Sequence, residues 1–157
     1  MAIENKGTRL YVCETPQNTD LTEVQFAALV WKEICCLTDV PALGESYSAI
    51  TAMCMDGTKL SGVGSAEDSD FDISVFYKSE CEGQDTIRGV VGSNNNYAFK
   101  LTRSDGTSTH TPTTIYTRSK LRAKSLGSNG GADEFTADTY TATIQQGPMF
   151  VKPKAIP

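Results

Sequence analysis

Histidine is almost missing from this chain: His110 is the one example among 157 residues. A zinc site of the usual kind, or a Ser–His or Cys–His nucleophile pair, needs a well-placed imidazole. His110 stands alone in a Thr-rich turn and reads as an exposed loop residue. Long apolar runs are missing too, since no stretch approaches the roughly 18 residues a membrane-spanning helix requires. The opening MAIENKGTRL lacks the basic and then apolar pattern of a secretory signal, so a protein made in a cytoplasm-like setting is expected. There is no CxxC spacing and no phosphate-binding loop, because GVGS at 62–65 has neither the length nor the lysine. The acids cluster in turns and at strand edges, and no two face one pocket in the way acid/base catalysis demands. No enzyme, cofactor or metal is expected.

Positive charge is also scarce. The 14 Lys and Arg against 19 Asp and Glu give a net charge of -5 and a pI near 4.8, which argues against a protein built to grip nucleic acid. The five cysteines, Cys13, Cys35, Cys36, Cys54 and Cys81, are odd in number. Neighbours in a strand point to opposite faces, so Cys35 and Cys36 would not share one metal. Buried reduced thiols are the expected state.

What the chain does have is an unusual middle. The stretch 39–66, DVPALGESYSAITAMCMDGTKLSGVGSA, lies between two strand-like runs. It is too long for an ordinary connection and too rich in Gly, Ser and Ala to hold a core. Yet Leu43, Tyr47, Ile50, Met53, Met55 and Leu60 are spread along it with few charges, and those side chains need a surface to bury against. Two readings stand: an arm whose dry partner is another copy of the protein, or a long hairpin folded over its own domain.

The length suits one domain, 1–157, with appendages. Residues 1–6 read as an N-terminal arm. TRLYVCE alternates well enough for a first strand; LTEVQFAA reads as loop or one helical turn to Ala28, and 31–38 as a strand. The clearest strand is Asp70 to Lys78, with Phe71, Ile73, Val75 and Tyr77 on its dry face. One helix follows: Ser79 and Glu82 fit a capping box, and Gly92 fits the stop. Gly83 and Gly89 inside it weaken it by up to about 1 kcal/mol each. Then come YAFKLTR, a tight Asp105-Gly106 turn, a Thr-rich strand through 107–117 into RSKLRAKSL, a flexible turn GSNGGADE, and a last strand with Tyr140, Ala142 and Ile144 inward. Three prolines in 147–157 suit an extended C-terminal arm.

Arg118, Lys120, Arg122 and Lys124 share one parity, giving a basic row along one strand face. Such a row could track a single-stranded nucleic-acid backbone with Tyr97, Phe99 and Tyr116 as stacking platforms. It could equally meet the acidic set Glu67, Asp68, Asp70 and Asp72 on a neighbouring subunit, or be a solvated face. The acidic total favours subunit pairing, which would set orientation more than strength.

The order of parts, GTRLYV, WKEICCLTDVPALGES entering the long arm, DSDFDISVFY, GQDTIRGVVG, NYAFKLTRSDGT and a strand ending near Ile144, resembles the major tail (tail tube) proteins of lambda-type, non-contractile-tailed bacteriophages. The resemblance spans about 7–147. It implies a mainly β fold, a β-sandwich or partial barrel with one flanking helix, a long inter-strand loop and extended terminal arms. It further implies six copies closing into a ring and rings stacking into a hollow tube that conducts the genome, with tail initiator and terminator proteins at the ends and the tape measure protein and DNA inside. The protein would then belong to the virion, assembled in the host cytoplasm. Glu33, Asp39, Glu45, Asp56 and Glu67 are the lumen candidates, since an acidic wall lets DNA slide where a basic one would bind phosphate. A tube of a contractile-injection or secretion system, or a small nucleic-acid-binding β-barrel, are the alternatives.

Overall fold

The computed structural model describes residues 2–67, 69–127 and 130–157. Eight strands and two helices follow in the order β1 (Arg9–Val12), α1 (Glu23–Ala27), β2 (Lys32–Ile34), β3 (Ser46–Met53), β4 (Lys59–Glu67), β5 (Asp70–Phe76), α2 (Glu82–Val90), β6 (Tyr97–Thr102), β7 (Thr114–Ser125) and β8 (Ala137–Val151). Six strands form one antiparallel sheet ordered β2-β1-β6-β7-β8-β5, and β3 pairs only with β4.

The large sheet curls into a partial barrel. Just after β2 the chain reaches the opposite edge: Leu37 bridges Val75, the Thr38 N–H donates to Ser74 O at 2.9 Å, and the Phe76 N–H to Cys36 O at 3.0 Å. Cys36 turns the chain there with φ of 55°, so the strand expected over 31–38 ends at Ile34. Alternation within each strand sends Leu10, Val12, Phe71, Ile73, Val75, Phe99, Leu101, Tyr140, Ala142 and Ile144 into one buried cluster with Ile87 of α2. Tyr77 lies past the end of β5 and is exposed, with the Arg88 guanidinium 5.4 Å over its ring. On the outer face a second cluster gathers Cys13, Phe26, Ala98 and Tyr116, with Trp31 stacked on Tyr116 at 5.9 Å.

Helix α1 is the helical turn expected before Ala28, closed by a reciprocal Thr22–Gln25 capping box. Helix α2 starts two residues later than a Ser79 cap would place it: Cys81 is its N-cap and supplies no side-chain bond. Gly92, at φ of 85°, does follow its end. Gly83 is needed because the first turn of α2 lies directly on β2; a Cβ there would run into the Glu33 carbonyl and Ile34 Cα. Gly83→Ala is therefore expected to cost about 1–3 kcal/mol, opposite in sign to its helix propensity, and a thermal melt will show it. Cys35 and Cys81 are joined as a disulfide with Cα atoms 6.1 Å apart, which ties the same junction and corrects the expectation of reduced thiols. Cys13 is buried and free, and Cys36 and Cys54 are exposed.

Two strand boundaries also differ from expectation. The Thr-rich run 107–113 is loop, and the turn lies at Ser104–Asp105, one residue before the expected Asp105-Gly106, without bringing the two strands directly together. Instead the Asp105 carboxylate accepts from Thr113 N–H at 2.8 Å and Thr113 Oγ1 at 2.5 Å, closing a wider loop. These bonds, the hydroxyl's first, hold the Asp105 carboxyl below its ordinary value. A depressed carboxyl stabilises the fold above the unfolded-state value and loses that contribution as pH falls through the folded one. Acid titration of Asp105→Asn should be flatter than that of wild type below about pH 4, and an unchanged slope would refute this role. At the C-terminal end β8 continues through Gly147 and Pro148 to pair Met149 with Tyr116 and Val151 with Thr114. The C-terminal arm thus begins only after Val151, and even there Ala155 bridges His110. The exposed His110 sits in a loop as expected. Residues 2–6 form no helix or strand and are exposed; Met1 and positions 128–129 of the GSNGGADE turn lie outside the described residues.

Candidate functional site

The mid-chain stretch is a projecting antiparallel ribbon, not a loop. Its strands pair from Ser46↔Glu67 out to Met53↔Lys59, and each packs chiefly on the other. A compact turn closes the tip: the Cys54 N–H donates to Thr58 O at 2.7 Å, the Gly57 N–H to Cys54 O at 2.9 Å, and the Thr58 N–H to Asp56 Oδ1 at 2.9 Å. Gly57 takes φ of 88° there, a conformation that glycine adopts without strain. The bond from Thr58 holds the Asp56 carboxyl below its ordinary value. Near the base the register shifts between Tyr47 and Ala49, and Gly64 passes so close to Ser48 and Ile50 that no Cβ fits without a shift.

Both faces of this ribbon are apolar and bare. The register puts the pairs Ile50/Gly62 and Ala52/Leu60 on one face, and Ala49/Val63 and Met53/Lys59 on the other. Tyr47, Ile50, Met53, Leu60 and Val63 are all more than half exposed, and Met55 at the tip is fully so. Leu43 differs from its companions, since it packs on the barrel core and anchors the base. Val63 was hidden from the sequence reading inside GVGS. An isolated two-stranded ribbon is marginal in water at best, and a bare apolar surface of this kind marks a site for covering.

The charged rows are arranged differently from the parity argument. Arg118 is buried, and its guanidinium donates to Asp20 Oδ1 at 2.6 Å, Gln17 O at 3.2 Å and Gln146 Oε1 at 3.3 Å. It fastens the segment before α1 to β8, so for this residue the opposite charge lies in its own chain. Arg122 likewise meets Asp70 within the chain at 2.5 Å, while Thr143 and Thr141 donate to Asp70 and Asp72. The Thr143 hydroxyl and then Arg122 lower the Asp70 carboxyl. A register shift between Leu121 and Ala123 sets Lys124 opposite Tyr140 and takes it out of the row. Lys120 is half-buried and Glu67 exposed at the ribbon's base; Asp68 lies outside the described residues. Arg118→Ala should cost about 1–3 kcal/mol through the buried groups it strands. Asp20→Ala, at an 82% exposed side chain, should cost about 0–1 kcal/mol; equal losses in a denaturant titration would contradict this division.

The acids considered for a channel wall do not form one patch. Glu33 lies on β2 beside Arg9 at 3.5 Å, Asp39 follows on the exposed connection, Glu45 stands at the ribbon's base and Asp56 at its tip.

No protein-family profile and no curated protein matches the chain. Solved structures do. The sheath/tube terminator of an extracellular contractile injection system, PVC, in its extended state superposes with a TM-score of 0.71 over 97% of this chain and 98% of its own, at 9% identity. The SPP1 tail tube gives 0.69 over 95% and 78%, at 10% identity. The chain has the tail tube fold. The PVC sheath-tube complex adds 0.63 over 99% and 93%, at 11% identity. Because these superpositions span nearly the whole chain, the tube-protein fold takes in the barrel together with its appendages. Within that fold the bare ribbon is the surface best suited to contact another molecule.

Proposed function

We propose that this chain is the building block of a phage tail tube: copies associate into stacked, hexameric rings around a channel for DNA. The observation that carries the reading is a ribbon with two bare apolar faces on a tail tube fold, since an isolated ribbon of two strands is marginal in water until something covers it. Ring closure by six copies, a lambda-like non-contractile tail, initiator and terminator proteins at the ends, and a tape measure protein inside extend that reading. The role is structural and involves no catalytic step, and it places the protein in the virion after assembly in the host cytoplasm. The net charge of -5 suits a conduit, because phosphate is repelled and not held. No helix among the described residues is long and apolar enough to cross a membrane.

Electron microscopy of the concentrated, purified protein tests this. Hollow tubes of uniform width are the expected result, and dispersed single subunits at every concentration would overturn it. A tube of a contractile injection system is the second reading, favoured by the likeness to the PVC structures; a sheath around tubes isolated from the source would decide for it. The single-stranded nucleic-acid module loses its strongest residue, because Arg118 is buried against Asp20.

A further inference from the structure

The barrel closes where the end of β2, the end of β5 and the start of α2 meet, and the Cys35–Cys81 disulfide crosses that seam. We propose that the bond is a reversible clasp, open as two thiols in a reducing cytoplasm and closed by a small disulfide oxidant outside it. Closing it toughens the subunit without reshaping it. The two settings come from the tube reading; the clasp itself does not depend on assembly.

Three observations carry it. The first is that the seam is held by more than the bond. Gln84 is fully buried, and its side-chain amide donates to Cys35 O at 2.8 Å and to Phe76 O at 3.0 Å, while its Oε1 accepts from the Lys78 N–H at 3.0 Å. One side chain thus fastens α2 to both strand ends, so reduction leaves the two sulfurs side by side, ready to close again. The second is access. Cys81 is 2% exposed whereas Cys35 is half-buried, so a thiolate from solvent attacks the Cys35 sulfur and Cys81 leaves. The third is the leaving group. Cys81 is the N-cap of the nine-residue α2, and its sulfur lies 3.1 Å from the Cys35 N–H. That amide and the helix N-terminus both favour a thiolate. The first-turn acids do not cancel the effect, because Glu82 is paired with Lys32 at 3.2 Å and Asp85 with Arg88 at 2.8 Å. A stabilised thiolate leaves faster, which makes the bond easier to open.

The chemistry balances with a small disulfide such as oxidised glutathione as co-reactant. The Cys35 thiolate attacks one of its sulfurs and displaces one thiolate; the Cys81 thiolate then attacks the Cys35 sulfur and displaces the second. Two electrons pass from the protein to the oxidant, and the two cysteine protons end on the released thiols. Opening runs the same exchange backwards. The closed form links positions 46 residues apart and so fastens both ends of the segment that holds the ribbon and β5. A cross-link over a loop of that size restricts the unfolded chain and raises the melting midpoint.

The test equilibrates the purified full-length protein in mixtures of reduced and oxidised glutathione and reads the Cys35–Cys81 bond by peptide mapping after an acid quench. The bond should open and re-form in both directions without denaturant. Reduced protein should keep its far-UV circular dichroism and melt about 4–16 °C lower. Cys81→Ser should melt like the reduced form and ignore the glutathione ratio. Gln84→Ala should re-form the bond at least about tenfold more slowly, as the sulfurs are no longer held in register. A bond that opens only after denaturation, or a reduced chain that is unfolded, would overturn the clasp, and tubes formed all the same would leave the tube reading standing. A chain that cycles its bond and never polymerises would bear out the clasp and overturn the tube reading alone.

Discussion

Replacing the ribbon Ser46–Glu67 with a two- or three-residue Gly-Ser link will give a folded, soluble protein that no longer polymerises. The link is short because Ser46 and Glu67 are paired neighbours, a few ångströms apart. The barrel should not register the loss: none of the ribbon's residues belongs to either buried cluster, and its strands pack chiefly on each other. Exposed positions of this kind change stability by about 0.5 kcal/mol or less when substituted. Leu43 must be kept, since it packs on the core. Assembly, by contrast, should fall below detection by electron microscopy and by sedimentation. The two faces can be separated with Ile50→Asp and Val63→Asp, which place a charge on opposite sides of the ribbon. If both faces are covered in the assembly, each variant alone will block it, since an unpaired charge buried in a contact costs several kcal/mol. Normal tubes from the ribbonless protein would end the assembly reading of this element.

The barrel was legible wherever one face of a strand is dry. Phe71, Ile73 and Val75 alternate with polar neighbours, and Tyr140, Ala142 and Ile144 do the same, so period alone placed both strands and their inward faces. The ribbon resisted the same treatment because neither of its faces is dry within one chain. Apolar and small residues occur on both, so alternation disappears and the stretch reads as loop. The basic row failed for a related reason: parity counts residues, and the register shifts in β7 are invisible to counting. Arg118 has no sequence signal at all, because its partners Gln17, Asp20 and Gln146 come from far along the chain. Gly83 looked like a weakness of α2 and turned out to be the condition for its docking, which only the approach to β2 reveals. The Cys35–Cys81 bond was equally closed to spacing arguments, since it depends on the same approach.

Phe99→Ala should produce the largest loss of stability of any single truncation in the barrel. Phe99 lies on β6 and is fully buried, and its ring meets Phe71 of β5 edge-on at 5.7 Å, from the far side of the curled sheet. Strands β6 and β5 are not neighbours in the sheet order, so this pair joins the interior across the barrel where no backbone bond does. Truncating a buried phenylalanine costs about 3–5 kcal/mol through lost transfer energy and the cavity left behind. The edge-to-face geometry adds about 0.5–1.5 kcal/mol to what is lost. Against a total stability of about 5–15 kcal/mol for a domain of ordinary kind, the variant should retain between none and about three quarters of it. At about 2–4 °C per kcal/mol for a chain of this size, the melting midpoint should drop by roughly 7–26 °C. Phe150→Ala is the control, as that ring, paired with Ile115 near the end of β8, is 54% exposed, and it should move the midpoint by only a few degrees. If assembly stabilises the barrel by mass action, the Phe99→Ala deficit will shrink when melts are repeated on preformed polymer. A deficit of the same size in subunit and polymer would show that association and folding are uncoupled, contrary to a ribbon that is stable only when covered.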